Sequence, residues 1–183
     1  ILIIVLDTLF SNNKLEIKKF FFVSLICTSF VSFDIIFQYI MGFDIFGIKP
    51  LGEDRYPGPF GTENIAGSYL QKFCFFSFIY IIYIFKNKNV SNPLLIFFIV
   101  LHAVPLLLAG NRMSVILFLF GFFLMFLFIK KIRMAAISGG VIFSAIFVIL
   151  LKDNVQLKNT YEYLFESINL FKPVDYVFRD SDV

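Results

Sequence analysis

Two arginines in the connections between apolar segments, Arg55 and Arg112, have the side chains best suited to chemistry in this sequence. Arg112 follows the short connection Gly110-Asn111 and begins a long apolar run. Backbone N–H groups at a helix start attract anions, and a guanidinium can bind a phosphate through two parallel hydrogen bonds. The pattern therefore indicates an anion site at Arg112. An arginine that only anchors a lipid headgroup would occupy the same position.

Arg55 and Glu63 lie in a second polar segment, residues 42–63, which leads into another apolar run. Four residues of this segment stiffen the backbone or allow tight turns: Pro57, Gly58, Pro59 and Gly61. A rigid loop of this kind would hold Arg55 and Glu63 at the start of the following helix. A connector with a purely structural role is the alternative interpretation.

The start of that helix has two candidate N-caps, Thr62 and Asn64, whose side-chain oxygens are of the type that accepts hydrogen bonds from helix N–H groups. Lys72 follows within the apolar run. It could extend its amine toward the headgroups, because long cationic side chains reach the interface from apolar positions.

Three more polar residues interrupt the apolar runs, where lipid makes them costly. Asp34 and Gln38 are one helical turn apart and share a face. Asp34 could form an ion pair with Lys72 of the next helix. For His102 we expect a hydrogen bond to a neighbouring helix rather than a catalytic role.

The elements that position these residues must lie in a membrane, because the composition excludes a soluble domain. Of the 183 residues, 59% are hydrophobic and 28 are phenylalanine, and the mean hydropathy is +0.86. Soluble domains are about 45–50% apolar. The interior of a soluble fold of this length is too small to bury the additional apolar side chains of this chain. Cys27 and Cys74 both lie in apolar runs, so we expect no disulfide framework and no metal site.

Apolar runs with the length of membrane-spanning helices, which need about 20 residues, follow one another along the chain. They cover residues 20–41, 65–85, 93–109, 113–129 and 134–151. Backbone groups in hydrocarbon must bond within their own segment, and the runs lack the alternation of barrel strands. The sequence therefore predicts an all-α polytopic membrane protein, with about five transmembrane helices in a single domain over residues 1–183.

The polar connections alternate in charge along the chain. Lysine and arginine dominate residues 11–19, 86–92 and 130–133, whereas residues 42–63 carry four acids against two bases. By the positive-inside rule the basic connections are cytoplasmic. Residues 42–63, the turn before the fourth run and residues 152–183 then share the outer side.

Both ends of the chain have the character of cut segments, which predicts a fragment of a larger chain. Residues 1–5 are apolar but too short to span a bilayer, and we interpret them as the tail of a partial N-terminal helix. Residues 152–183 are predicted to begin a large outer loop. That segment forms a helix on the membrane surface or the first part of an external domain, because apolar residues recur at helical spacing: Tyr161, Leu164, Phe165, Ile168 and Phe171.

Two motifs resemble the O-antigen ligase and O-antigen polymerase family, integral membrane glycosyltransferases of bacterial surface polysaccharide assembly. Residues 55–72 are similar to its loop-and-helix signature, in the form Arg-x-x-Gly-x-Phe-Gly-x-Glu-x-x-x-Gly-Ser-Tyr-Leu-x-Lys. Residues 107–114, Leu-Leu-Ala-Gly-Asn-Arg-Met-Ser, are similar to its small-residue turn two helices later. Many members carry Asn-Pro-Asn after the Phe-Gly, whereas Thr62-Glu63-Asn64 here looks more like the polymerase-type members. The resemblance covers residues 50–130 well and the rest only in hydropathy.

The resemblance implies transfer of a glycan from an undecaprenyl-diphosphate carrier to a glycan or lipid A core acceptor, at the periplasmic face of the bacterial inner membrane. A leaving pyrophosphate needs cations where its charge develops. Arg55 and Arg112 are the candidate clamp, and Glu63 would orient the acceptor hydroxyl, act as base or hold Arg55. The candidate substrate-binding residues are Lys72, Asn64, Gly58 and Gly61.

The same resemblance implies no metal, no other cofactor and no nucleic-acid partner. Family members place further functional residues in the large periplasmic loop, within which this chain stops at Val183. The fragment is therefore expected to be inactive alone.

Two other functions fit parts of the sequence. A transporter or lipid-carrier flippase fragment would explain Asp34, Lys72, His102 and Pro105 within apolar runs, although the chain shows no internal repeat. A non-catalytic membrane scaffold would give no reason for a rigid loop that ends in charged residues at the lipid boundary.

Overall fold

The computed structural model describes residues 17–50, 55–85, 88–130, 132–155, 157–159 and 161–162. All regular structure within these residues is helical, without a strand, which confirms the predicted all-α class. The predicted partial helix at residues 1–5 and most of the amphipathic segment after Tyr161 lie outside the described residues.

Five helices and one 3₁₀ turn, Gly58–Phe60, make up most of the described part of the chain, and a few helical residues follow the last of them. The helices are α1 (Ile17–Met41), α2 (Ala66–Ile84), α3 (Lys88–Leu108), α4 (Arg112–Phe128) and α5 (Arg133–Asp153). The largest departure from the predicted runs is at α3, which begins at Lys88 instead of residue 93. Pro93 is the sixth residue of this helix and lacks the N–H that would continue the backbone hydrogen bonds there.

Four of the described helices, α1, α2, α3 and α5, are long and apolar enough to cross a membrane. Helix α4 is apolar but has 17 residues, which is at the lower end of the spanning range. The multi-pass character of the prediction is therefore supported, and a fifth crossing by α4 stays a prediction.

The distribution of apolar side chains is that of a protein surrounded by lipid. Large hydrophobic residues cover the outside of the bundle, with Phe128 81% exposed and Met134 71% exposed. Small and polar residues such as Thr28, Ser32 and Ser77 are instead fully buried. This arrangement explains the excess of phenylalanine, because large apolar side chains on the outside are unfavourable in water but favourable in contact with lipid hydrocarbon.

Helix α3 lies at the centre of the bundle and packs against each of the other four helices. Polar side chains tie the helices together within the bundle. Thr28 of α1 and Ser77 of α2 share a hydrogen bond of 2.9 Å. Ser32 of α1 and Nδ1 of His102 of α3 share another of 2.9 Å, so the expected interhelical role of His102 is confirmed.

Helices α2 and α4 pack closely against each other at Gly67. A Cβ atom placed there would lie 3.0 Å from Cβ of Asn111 and 3.4 Å from Cβ of Ser114. We expect Gly67→Val to destabilise the folded protein by about 1–3 kcal/mol, because the added methyl groups force the two helices apart. Thermal unfolding in detergent micelles measures the effect.

Gly140→Val in α5 is the matched control, because nothing lies within 4 Å of a Cβ atom at Gly140. Equal melting temperatures for the two variants would contradict the close packing at Gly67.

Candidate functional site

The two sequence motifs meet at one end of the bundle. The backbone N–H of Tyr56 donates a hydrogen bond of 3.1 Å to the carbonyl of Leu108, the last residue of α3. Tyr56 follows Arg55 directly, and Leu108 lies one short turn before Arg112. The loop that carries Arg55 is therefore fastened to the connection that carries Arg112.

Gln38 holds the same loop from the opposite side. Its Oε1 accepts a hydrogen bond of 2.9 Å from the backbone N–H of Gly58. Its Nε2 donates to the carbonyl of Ile48 at 3.2 Å. The Gln38 side chain is fully buried, so both bonds are shielded from competing water. One amide therefore connects α1 to two points of the loop, Ile48 and Gly58.

The two predicted loop glycines have the conformations that require glycine. Gly58 has a φ of 57° and Gly61 a φ of 65°, in the left-handed region that other residues rarely adopt. At Gly58 there is also no room, because a Cβ atom would lie 2.7 Å from Cγ1 of Ile35. The N–H of Gly61 closes the 3₁₀ turn by donating to the Gly58 carbonyl at 3.3 Å.

The start of α4 is held by a small polar cluster. Oδ1 of Asn111 accepts the N–H of Ser114 at 3.3 Å and so caps the helix, while Nδ2 of Asn111 donates to Oγ of Ser68 at 3.2 Å. The hydroxyls of Ser68 and Ser114 are 3.3 Å apart. The first turns of α2 and α4 therefore lie side by side, next to Arg112.

The predicted N-caps of α2 are wrong. The helix begins at Ala66 with Ile65 in the cap position, and no side chain bonds to its N–H groups. The chain turns tightly just before, where the N–H of Glu63 donates to the Phe60 carbonyl at 3.2 Å. This turn leaves Asn64 one residue too early to cap the helix.

Tyr161 reaches the same end of the bundle from beyond α5. Its hydroxyl donates to the carbonyl of Leu107 at 3.1 Å, and its side chain is 3% exposed. Burial raises the pKa of Tyr161, and the positive charge of Arg112 opposes this shift weakly, so the hydroxyl stays protonated at neutral pH. The guanidinium of Arg112 therefore lies within electrostatic range of Tyr161.

The predicted site residues differ in exposure. Arg112 and Asn64 are half-buried, whereas the side chains of Arg55, Glu63 and Lys72 are exposed. The carboxylate of Glu63 forms no hydrogen bond or ion pair with another described residue, so the suggested contact from Glu63 to Arg55 is not observed there. The structure joins the Arg55 and Arg112 segments through the backbone and leaves Lys72 apart from them.

The proposed ion pair between Asp34 and Lys72 is also wrong. Oδ1 of Asp34 accepts a hydrogen bond of 2.8 Å from the backbone N–H of Ile45, and the Asp34 side chain is fully buried. Lys72 points away from the bundle and is exposed. The carboxylate is used to hold the loop after α1 instead of a neighbouring helix.

Two cavities adjoin this end of the bundle. The first has a volume of about 410 Å³, is largely apolar, and lies between α1, the 3₁₀ turn and Tyr69 of α2. The second has a volume of about 490 Å³ and a mixed lining from the end of α5 and the residues after it, including Lys152, Lys158 and Glu162. Within the described residues no group of three or more histidine, cysteine or acidic side chains is placed to hold a metal ion.

Comparison of the chain with known protein families, with curated proteins and with solved structures gives no match. The functional interpretation therefore depends on the residues and their geometry.

Sequence reasoning misses two residues that organise the site. The sequence shows Gln38 only as sharing a face with Asp34, and Tyr161 only as part of an amphipathic pattern. Their partners lie 10 and 20 residues away for Gln38 and 54 residues away for Tyr161. A polar residue in an apolar run, as Gln38 is, was the available signal.

We expect Gln38→Leu to loosen the loop, because it leaves the Gly58 N–H and the Ile48 carbonyl without their partner, at a cost of about 1–3 kcal/mol. Amide hydrogen exchange, followed by mass spectrometry on peptides that cover residues 55–60, should accelerate at least about tenfold. Gln71→Leu is the control, because Gln71 is half-buried in α2 and its side chain forms no hydrogen bond with a described residue. Unchanged exchange in Gln38→Leu would show that the loop is held by other contacts.

Proposed function

We propose that this chain belongs to a membrane glycosyltransferase of the O-antigen polymerase or ligase type. It would transfer a glycan from an undecaprenyl-diphosphate carrier to a glycan or lipid A core acceptor. The observation that carries the proposal is the hydrogen bond from Tyr56 to Leu108, which brings the Arg55 and Arg112 segments to one end of the bundle. Each segment carries an arginine that could supply positive charge at this end of the bundle.

The chemistry of the proposed reaction requires positive charge at the leaving group. When the bond from the sugar to the carrier breaks, the pyrophosphate gains negative charge, and fixed cations lower the energy of that transition state. Arg112 sits at the start of α4, where backbone N–H groups also favour anions. Arg55 is exposed on the adjoining loop and would bind the pyrophosphate from the other side.

The apolar cavity beside the loop supports a lipid-linked substrate. It opens between α1 and α2 and is bounded by Pro59 and Phe60, a few residues after Arg55. An isoprenoid tail in this cavity would place its diphosphate close to the loop. The apolar cavity would bind the isoprenoid tail of the carrier, and the loop at the membrane boundary would bind its diphosphate.

The other predicted residues have roles that fit their exposure. Glu63 is exposed and therefore accessible to an acceptor hydroxyl, which it would orient or deprotonate. Lys72 is exposed on α2 and would extend along the carrier toward the headgroups. Gly58 and Gly61 hold the loop that presents Arg55, and Asn64 lies in the turn that follows.

The distribution of charge supports a periplasmic site in the inner membrane of a bacterium. Basic residues gather at the opposite end of the bundle, where Nζ of Lys18 lies 5.3 Å from the centre of the Tyr83 ring. Arg133 at the same end donates to the carbonyls of Phe126 and Leu127, at 3.1 and 3.0 Å. By the positive-inside rule this end is cytoplasmic, so the end with Arg55 and Arg112 faces outward.

A transporter or lipid-carrier flippase remains the second candidate, and one observation favours it. Nε2 of His102 is buried near the middle of α3 without a hydrogen-bond partner among the described residues. Polar groups at membrane depth are common along transport pathways. The His102 ring is nevertheless held by Ser32 and packs against Phe78 and Phe98, as a structural histidine does.

The proposal predicts that the two outer arginines are essential for polysaccharide assembly. In the intact gene, Arg55→Ala and Arg112→Ala should each lower the amount of polymerised or ligated glycan by about 100-fold or more, because each removes a donor to the developing charge. Surface polysaccharide from complemented deletion cells, separated on a silver-stained gel, gives the measurement. Single-repeat glycan would indicate a polymerase, and unligated polymer with bare core would indicate a ligase.

Arg133→Ala is the matched control, because it removes an arginine from the opposite end of the bundle, and immunoblots of membranes check that every variant inserts. Normal banding in Arg112→Ala cells would count against a glycosyltransferase. If Arg112→Ala cells show normal banding and His102→Ala cells lose most of the assembled glycan, the result would favour a transporter.

The orientation makes a separate prediction that does not depend on the reaction. Lys49 is exposed in the loop after α1, and Lys130 is exposed between α4 and α5. A cysteine that replaces Lys49 should react with a membrane-impermeant maleimide in spheroplasts. One that replaces Lys130 should react only after permeabilisation. The reverse pattern would place Arg55 and Arg112 in the cytoplasm and exclude a periplasmic reaction.

A further inference from the structure

Two carboxylates are completely enclosed at the outer end of α1. Asp34 and Asp44 both have 0% of their surface exposed. Oδ1 of Asp34 accepts the N–H of Ile45 at 2.8 Å. Oδ1 of Asp44 accepts the N–H groups of Phe46 and Ile48 at 3.0 and 2.6 Å, so this acid closes a tight turn of its own loop. One oxygen of each carboxylate is therefore hydrogen-bonded to the backbone.

The second oxygen of each carboxylate has no partner. Oδ2 of Asp34 and Oδ2 of Asp44 are buried and form no hydrogen bond among the described residues. Buried polar atoms are nearly always satisfied, so each such oxygen calls for an explanation. A buried charge without a counter-charge is more costly still.

The two acids also lie close to each other. Ile45, which bonds Asp34, is the residue next to Asp44, and the carboxylates are near enough for their charges to repel. Neither carboxylate forms an ion pair with a described lysine or arginine, since the salt bridge described in the structure joins Lys158 to Glu162. Two like charges are thus enclosed together with unsatisfied oxygens and no described cation.

We propose that Asp34 and Asp44 bind a hard divalent cation, of which Ca²⁺ is the best fit, through their two unpartnered oxygens. Carboxylate oxygens are the preferred ligands of such cations, and Ca²⁺ accepts irregular shells that include backbone carbonyls and water. Two side chains are fewer than a tight metal centre provides. Backbone or water oxygens would therefore complete the shell, and the affinity would be moderate.

A cation at this position would act on the loop geometry. Asp44 closes the turn that ends at Ile48, and the Ile48 carbonyl accepts the hydrogen bond from Nε2 of Gln38. Gln38 in turn holds Gly58. Neutralising the two acids would stabilise the turn against which the loop carrying Arg55 is fixed. The inference stands on the carboxylates alone and does not require the proposed reaction.

The test uses the intact protein, purified in detergent with EDTA and then dialysed free of chelator. Isothermal titration with CaCl₂ at neutral pH should show saturable binding, with competition by MgCl₂. The melting temperature should rise by about 3 °C or more at saturation, because a ligand that binds only the folded state stabilises it. Asp34→Asn and Asp44→Asn should each weaken Ca²⁺ binding at least about tenfold, whereas Glu162→Gln, at an exposed acid, should not.

Absence of binding and of any melting shift in the wild-type protein at about 10 mM Ca²⁺, above the range of weak extracellular calcium modules, would overturn the proposal. A second outcome would also overturn it. If the Asn variants are as stable as the wild type in EDTA and wild-type stability rises only on acidification, the two acids share a proton instead of a cation. The wild-type titration decides the question even where an Asn variant fails to fold.

Discussion

The carbonyl groups at the end of α3 are the constraint on which the polar end of the bundle depends. The last carbonyls of a helix have no donor within the helix, and at a membrane boundary they need partners from elsewhere. The Leu107 carbonyl accepts from the N–H of Gly110 and from the hydroxyl of Tyr161, both at 3.1 Å. The Leu108 carbonyl accepts from Tyr56. Two segments distant in sequence, at Tyr56 and Tyr161, are thereby held at the end of the central helix, and Arg112 follows Leu108 by four residues.

Polar residues of α1 perform two different tasks according to their depth. Thr28 and Ser32 bond to α2 and α3 in the middle of the bundle, where hydrocarbon offers no other partner. Asp34 and Gln38, nearer the outer end, bond instead to backbone groups of the loop that follows. Different faces of this one helix therefore hold the bundle together and shape the loop above it.

Hydropathy along the sequence predicts the helices, whereas the hydrogen-bond partners of the polar side chains depend on contacts with other segments and are not predicted. The helices follow from long apolar runs, since lipid leaves a spanning segment few other ways to satisfy its backbone. The need for glycine at Gly58 was also visible, because turns select it locally. The caps at Thr62 and Asn64 and the pair of Asp34 with Lys72 failed. The preference of a residue type for a cap position does not reveal that the turn at Glu63 moves the start of α2 to Ala66. Nor does it reveal that the backbone N–H of Ile45 donates a hydrogen bond to the Asp34 carboxylate.

A rigid loop matters for the proposed chemistry because electrostatic catalysis depends on charges that are already in place. An exposed arginine in water stabilises little, since solvent screens it and its own side chain is free to move. Gln38 and Leu108 hold the backbone just after Arg55, at Gly58 and Tyr56, which restricts the positions that its guanidinium can reach. Screening would fall only when a lipid-linked substrate covers Arg55 and the half-buried Arg112. In the proposed reaction the carrier would therefore complete the low-dielectric site in which the two charges become effective.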